Sequence, residues 1–449
     1  MTKLEKSSEG FYFLSLSLEN VRCFGTEQTL SLSDGNGKPA QWTVILGDNG
    51  TGKTTLLEIL AKGIHVTDSF QNSLRRINTS NSKILSGFAF NSTLDNANSH
   101  FLNFEYRTEL SDKGSQGRLI SNEPNSQAKT WHPERIRPGD MSFQAGNFLI
   151  TNSMFFSIAY SASRRLRNSS PFLDGNPVVN ASINDEQGEL VNAEKWLLDT
   201  DYIANKKSDI QANYQQRLNV IKNVLINLLP DVEDIRITVP NEKSPNPRVE
   251  FKLPDGWLLL SQISLGYQTM TSWIVDLAAR LFNFYPHSPN PIAEPAIVLI
   301  DEIDLHLHPK WQRTIMSYLS ERFVNTQFIV TAHSPLIVQA AENANIVVLK
   351  RESEGVVIHQ QAQDVHGWRI DQLLTSDLFE LKSARSPHYE SLLEQRRQIL
   401  SKAKLGEEDK TQLKALEAEI GDLPTAETAE DIQAMDIIRR AAQVLKQAQ

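Results

Sequence analysis

Gly47-Asp48-Asn49-Gly50-Thr51-Gly52-Lys53-Thr54-Thr55 is the stretch that decides the fold. Before it stands Trp42-Thr43-Val44-Ile45-Leu46, a short apolar, β-branched run that predicts a buried strand. After it, residues 56–62 predict a helix stopped by Gly63. Strand, glycine loop and helix are the setting in which G-x-x-x-x-G-K-T cradles a nucleotide's phosphates. The glycines let backbone amides close round an anion, and the helix N-terminus adds partial positive charge. In that reading Asn49, Gly50, Thr51 and Gly52 form the cradle. Lys53 reaches the β- and γ-phosphates, Thr54 ligates Mg²⁺, and Thr55 lies by the α-phosphate of ATP.

A second motif, Ala296-Ile297-Val298-Leu299-Ile300-Asp301-Glu302, is a continuous apolar run closed by two acids. Such a run predicts a fully buried parallel strand with carboxylates at its C-terminal end, where open α/β sheets bind ligands. Asp301 is expected to hold Mg²⁺, and Glu302 to orient and polarise the attacking water. Residues 328–331 predict another buried strand, running into Ala332-His333-Ser334-Pro335. His333 is expected near the γ-phosphate or the water. His306 and His308, at i and i+2, do not share a helical face and make a poor metal pair. A helix is expected to follow Pro309 and run to Phe323.

Between these motifs lies Ser261-Gln262-Ile263-Ser264-Leu265-Gly266-Tyr267-Gln268. Ser264 suits an N-cap and Gly266 a close backbone approach, ahead of an amphipathic helix through Trp273, Leu277 and Leu281. Elsewhere, residues 11–32 predict two strands. Arg22 and Phe24, in the turn between them, are placed to approach an adenine or a partner subunit. Residues 66–145, rich in Ser, Asn and short β-like runs, predict an inserted antiparallel lobe carrying Arg75, Arg76, Lys129, His132, Arg135 and Arg137. Residues 147–151 and 157–160 predict apolar strands, with Arg164, Arg165 and Arg167 after the second. Residues 189–229 turn helical, and residues 235–239 and 248–253 predict a strand pair. Residues 346–350 give a last core strand. A charged tail predicts three helices around Leu392, Leu416 and Ile438.

Composition is that of an ordinary soluble protein: 22% charged, 40% hydrophobic, net charge −9 over 449 residues. A nucleic-acid surface would have to be a local patch. The single cysteine, Cys23, excludes an internal disulfide and any cysteine-cluster metal site, and suits a reducing compartment. Residues 1–9 carry no apolar core of signal-peptide length, and no run approaches a membrane span. A cytoplasmic protein without membrane association is expected.

The ordered set 47–55, 264–268, 297–302 and 331–335 resembles the ABC-type ATPase heads of the SMC, RecF and OLD-like group. The stretch Ile300-Asp301-Glu302-Ile303-Asp304-Leu305-His306-Leu307-His308-Pro309 is especially similar to OLD-type and related antiphage ATPases. Around Gly367-Trp368-Arg369, Leu373–Phe379 and Ser383–Pro387 the tail resembles the PtuA family of Septu and retron defence systems. The resemblance implies an α/β fold: a P-loop head with a mixed core sheet over residues 1–360, an inserted β-rich lobe at 66–145, and a helical lobe with the signature motif at 185–285. Residues 361–449 would form a helical region for partner or self association. It implies ATP sandwiched between two copies, with Ser264 and Gly266 supplied in trans, Asp304 on the loop that crosses the dimer, and His333 as switch histidine. The signature reads Ile-Ser-Leu-Gly-Tyr-Gln where the family has Leu-Ser-Gly-Gly-Gln, so a weaker trans contact and slow turnover are expected.

Three functions compete: an ATP-hydrolysing regulator of a separate HNH-type nuclease in antiviral defence, a RecF-like DNA-binding ATPase of repair, and a scaffold that binds ATP without hydrolysing it. The intact Glu302 disfavours the third.

Overall fold

The structure, a computed structural model, describes residues 10–62, 82–91, 102–111, 114–121, 129–131, 142–145, 148–151 and 156–162, then 190–360 except 241, 243 and 244, and 365–420 except 366, 382 and 403–405. The chain divides into two compact units, Met1–Leu373 and Leu374–Gln449.

The first unit holds two large sheets. One begins with β1 (Gly10–Glu19) and β2 (Gln28–Ser31). The other contains β3 (Trp42–Gly47), from which the chain passes into helix α1 (Lys53–Lys62). After α1 come β4 (Ser82–Asn91), β5 (Leu102–Ser111), β6 (Gly114–Ser121) and β7 (Lys129–Trp131), which extend the first sheet in the order β2-β1-β4-β5-β6-β7, antiparallel throughout. The antiparallel strands expected between residues 66 and 145 are joined to the core through β4, which pairs with β1. Next, β8 (Ser142–Ala145) and β9 (Phe148–Thr151) make a two-stranded sheet of their own, so the run at 147–151 is not a core strand. The basic residues 75, 76, 132, 135, 137 and 164–167 lie outside the described residues, as does the expected tail helix around Ile438, and the side chain of Lys129 is not described.

The core sheet gathers β10 (Ser157–Tyr160), β14 (Ala296–Ile300), β15 (Thr326–Thr331), β3, β16 (Asn345–Glu352) and β17 (Gly355–Gln360) in the order β10-β14-β15-β3-β16-β17. All pairings are parallel except the last. Every residue of β14 and β15 is buried, as the apolar runs Ala296–Ile300 and 328–330 require when both faces of a sheet are covered. One core joins the two sheets and α1, with Phe13, Leu16, Leu18 and Phe24 packed in a cluster with Ile45, Leu57, Ile297 and Ile329. Gln327, fully buried, stitches the sheets together. Its Nε2–H donates to the Phe13 carbonyl and its Oε1 accepts the Phe13 N–H, both at 2.8 Å, where the register of β1 slips.

A lobe built from α2 (Ala193–Ala204), α3 (Gln211–Leu228) and α4 (Leu265–Phe284) also contains a three-stranded sheet, β11 (Asp234–Ile237), β12 (Val249–Leu253) and β13 (Gly256–Leu259). Its third strand was not expected. Nor is α4 amphipathic in place: from Thr269 to Ala279 every residue is buried, Asp276 included. The helix expected to run to Phe323 is two helices, α5 (Pro309–Gln312) and α6 (Ile315–Arg322). His308 caps α5, its Nδ1 accepting the Lys310 N–H. At the break, Thr314 turns its hydroxyl back on the Lys310 carbonyl at 3.3 Å and competes with the helical ladder. Helix α7 (Pro335–Ala340) follows β15, capped by Ser334.

The second unit holds a helical hairpin, α8 (Pro387–Leu400) and α9 (Glu407–Ile420). Its seam is small, with Leu392, Ile399 and Leu416 buried and Tyr389, Leu413 and Ile420 packed against them. Leu400, the last residue of α8, is half-exposed.

Candidate functional site

Because β3, β10, β14 and β15 are parallel, their last residues, Gly47, Tyr160, Ile300 and Thr331, end on one edge of the core sheet. The glycine loop runs along that edge into α1. Gly52 adopts φ +92°, and a Cβ there would lie 2.5 Å from Cys23 Sγ and 3.0 Å from the Phe24 ring. Only glycine fits both demands. Phe24 is thus spent on packing behind the loop, fully buried, and not on contacting a base or a partner.

Lys53 is buried, its Nζ donating to the Gly47 carbonyl at 2.6 Å and the Asp48 carbonyl at 3.0 Å. Burial lowers its pKa, and Asp301, Glu302, Asp48 and Asp304 pull it partly back. Thr54 Oγ1–H donates to Asp301 Oδ2 at 2.9 Å. The other oxygen of Asp301 accepts the Thr331 hydroxyl at 2.6 Å, and Thr331 Oγ1 in turn accepts the Glu302 N–H at 2.7 Å. Glu302 sits at φ +51°, a left-handed conformation uncommon outside glycine and costing on the order of 1 kcal/mol or more. His333 adjoins this grouping, its N–H donating to the Asp304 carboxylate at 3.1 and 3.3 Å.

Lys53, Thr54, Asp301, Glu302 and His333 line a cavity of about 340 Å³ with Asn49, Gly50, Thr55, Arg22 and Cys23. A larger cleft, about 720 Å³, opens at the opposite strand ends beside Gln41, Trp42 and Arg313. It mixes Asp34, Lys38, Glu321 and Glu342 and gathers no grouping of the kind found around Lys53, so the smaller cavity is the candidate site.

Two cations sit at its margin. Arg22 donates to Thr55 Oγ1 at 3.0 Å and lies 2.9 Å from Glu58, without the alignment of a hydrogen bond to that carboxylate. Arg351 donates to the Gly50 carbonyl at 2.9 Å. The sequence points Arg22 towards an adenine or a partner subunit, and gives no sign of Arg351, just beyond the buried part of β16, or of the part played by the Thr331 hydroxyl. The one available signal for Thr331 was a hydroxyl residue closing the apolar run Phe328-Ile329-Val330.

Ser264 and Gly266 lie elsewhere. Ser264 is the exposed N-cap of α4, and its side chain makes no capping hydrogen bond. A Cβ on Gly266 would meet the His306 carbonyl at 2.7 Å, so the glycine lets the first turn of α4 sit on the loop before α5, while Tyr267 meets Trp311 of α5 edge to face. Neither residue lines the cavity.

Residues 15–233 match the family described as an AAA domain, and residues 278–339 match the AAA domain family described as putative AbiEii toxin, Type IV TA system. Both matches are to AAA domain families, and with the ATPase-named relatives they mark the chain as an ATPase. Relatives of this head include the Retron Ec83 probable ATPase of Escherichia coli, 32% identical over 52% of this chain and 40% of that one. The Septu protein PtuA of Bacillus mycoides (strain KBAB4) is 26% identical over 89% of this chain and 49% of that one. The chain thus spans half or less of the length of both. Among solved structures, the SMC head domain from Thermotoga maritima aligns with 78% of this chain and 100% of its own at 14% identity and a TM-score of 0.44. Among the described residues, no helix of the head is long and apolar enough to cross a membrane.

Proposed function

We propose that this head binds ATP with Mg²⁺ and hydrolyses it as the ATPase of an antiviral defence system, and that its nucleotide state governs a separate HNH-type nuclease. The observation that carries the reading is the grouping of Lys53, Thr54, Asp301 and Glu302 round one cavity at the end of the parallel strands. The names of the relatives, a retron probable ATPase and a Septu protein, support the defence setting.

In this reading the amides of Asn49, Gly50, Thr51 and Gly52 bind the phosphates. Lys53 exchanges its two loop carbonyls for β- and γ-phosphate oxygens. The hydroxyl of Thr54 and the carboxylate of Asp301, already 2.9 Å apart, are hard oxygen ligands of the kind magnesium takes alongside phosphate and water. When bound, the ion would draw charge from the γ-phosphate. Glu302 orients water for in-line attack and accepts its proton, and His333 bounds the site on the γ-phosphate side.

A second copy would complete the sandwich. Ser264 has an unused cap position and Leu265 beside it is 56% exposed, which supports a trans role for Ser264 and Gly266. Retention of ATP by Glu302→Gln tests the reading. The variant should bind ATP normally, turn it over about 100-fold more slowly and accumulate as a nucleotide-bound dimer in size-exclusion chromatography. Equal turnover by variant and wild type would remove Glu302 from the chemistry. Co-purification with the nuclease, lost or gained as the trapped state forms, tests the regulatory half.

A further inference from the structure

We propose that Thr331 is a positioning residue that makes one unit of the two acids, presenting Asp301 to the cation and holding Glu302 in its strained backbone conformation. The inference rests on the ATPase reading and names the device on which that site depends.

Thr331 is the last residue of β15 and is fully buried. The three residues before it, Phe328-Ile329-Val330, are apolar, and nothing in strand packing asks for a hydroxyl after them. Yet that hydroxyl is used in both directions. As donor it meets Asp301 Oδ1 at 2.6 Å, while the other carboxylate oxygen receives Thr54. As acceptor it takes the Glu302 N–H at 2.7 Å, and the Thr331 carbonyl takes the Ile303 N–H at 2.9 Å. The amides on both sides of the left-handed bend at Glu302 are therefore tied to one threonine. A residue at positive φ persists where its surroundings over-determine it, and these bonds do so.

The consequence is chemical. Fixing one oxygen of Asp301 sets the rotamer that turns the other towards Thr54. A carboxylate free to rotate would bind the cation more weakly, and a relaxed backbone at 302 would swing the Glu302 carboxylate away from the γ-phosphate. Valine keeps the shape of threonine and removes both side-chain hydrogen bonds, whereas serine keeps the hydroxyl.

The test compares wild type, T331V, T331S and E302Q in the full chain. Binding of a fluorescent, slowly hydrolysed ATP analogue is measured in EDTA and across a Mg²⁺ titration, alongside turnover and thermal melting. T331V should bind the analogue in EDTA within about twofold of wild type, need about tenfold more Mg²⁺ for half-maximal tightening, and lose about 30-fold in kcat. T331S should stay within about threefold in every measurement. If T331V does not fold, T331C carries the same comparison, since it is close in size and offers only a weak donor. A T331V titration that overlays wild type, or a T331S as damaged as T331V, overturns the inference. If wild type and E302Q turn over alike, the ATPase reading itself falls. If E302Q is blocked while T331V is untouched, only Thr331 loses its role.

Discussion

The glycine-loop edge of the core sheet and the exposed end of α4 are finished to different degrees. Around Lys53 polar groups are matched within the chain, down to the carbonyls that receive its ammonium and the threonine between the two acids. At Ser264 the cap position is occupied by the right residue with its hydroxyl unused, and an exposed leucine follows. The difference teaches which half of the site one molecule can build. In the proposed reading, the half that would take the phosphates and the metal is preorganised in a single copy, where fixed donors and acceptors need no rearrangement during the reaction. The signature half is shaped and then left open, as expected of a surface that acts on another copy.

The body of α4, unlike its tip, is anchored firmly. Asp276 is wholly buried and accepts from the Tyr160 hydroxyl at 2.9 Å, the Val191 amide at 3.0 Å and Arg280 Nε at 2.7 Å. Burial works against the charge of Arg280, but Asp276 and the hydrogen bonds to it outweigh burial and raise its pKa. Asp276→Ala would strand a largely buried cation and an amide, so a loss of about 3–5 kcal/mol in unfolding free energy is expected by urea denaturation. A loss below about 1 kcal/mol would break the contrast between a tied helix and a loose tip.

The next effect falls at the tip. If Ser264 acts in trans as proposed, Ser264→Ala should leave ATP affinity of the isolated protein within about twofold while lowering turnover by about tenfold, because its hydroxyl would then be needed only across a dimer. Mixing experiments sharpen this. Ser264→Ala and Lys53→Ala proteins, each poor alone, should regain activity together as one intact composite site forms. Absence of complementation at concentrations where dimers are present would assign Ser264 to its own chain.

How much of this was legible follows the same division. The glycine loop, the apolar strands at 42–46 and 296–300, and the acids after them are local patterns, and the fold places them on one edge. What escaped depends on partners distant in sequence. Gln327 reads as a polar start to a strand until Phe13, 314 residues away, supplies its two shortest side-chain hydrogen bonds. The joining of β4 to β1 is a pairing that no local run encodes. Helix α4 shows an apparent polar side of Thr271, Ser272 and Asp276, all of which the structure buries under neighbouring elements. The break at 313–314 came from Thr314 preferring a back-bond to the ladder. Phe24, in a turn from which it could approach an adenine or a partner, instead packs behind Gly52.

Arg351 marks the limit of the loop's self-sufficiency and has the smallest expected effect. It reaches from β16 to the Gly50 carbonyl at 2.9 Å, from an exposed position. A hydrogen bond in such a place steadies the loop but competes with water, so Arg351→Ala should weaken ATP binding by only about two- to fivefold and leave kcat nearly unchanged. The measurement is nucleotide affinity at low and high salt, since an exposed charge-assisted bond loses strength as ions screen it. A drop well beyond tenfold, insensitive to Mg²⁺, would mean that the guanidinium leaves Gly50 for the nucleotide itself. The glycine-loop edge would then also wait for a component it lacks, and the contrast with the signature end would narrow to one of degree.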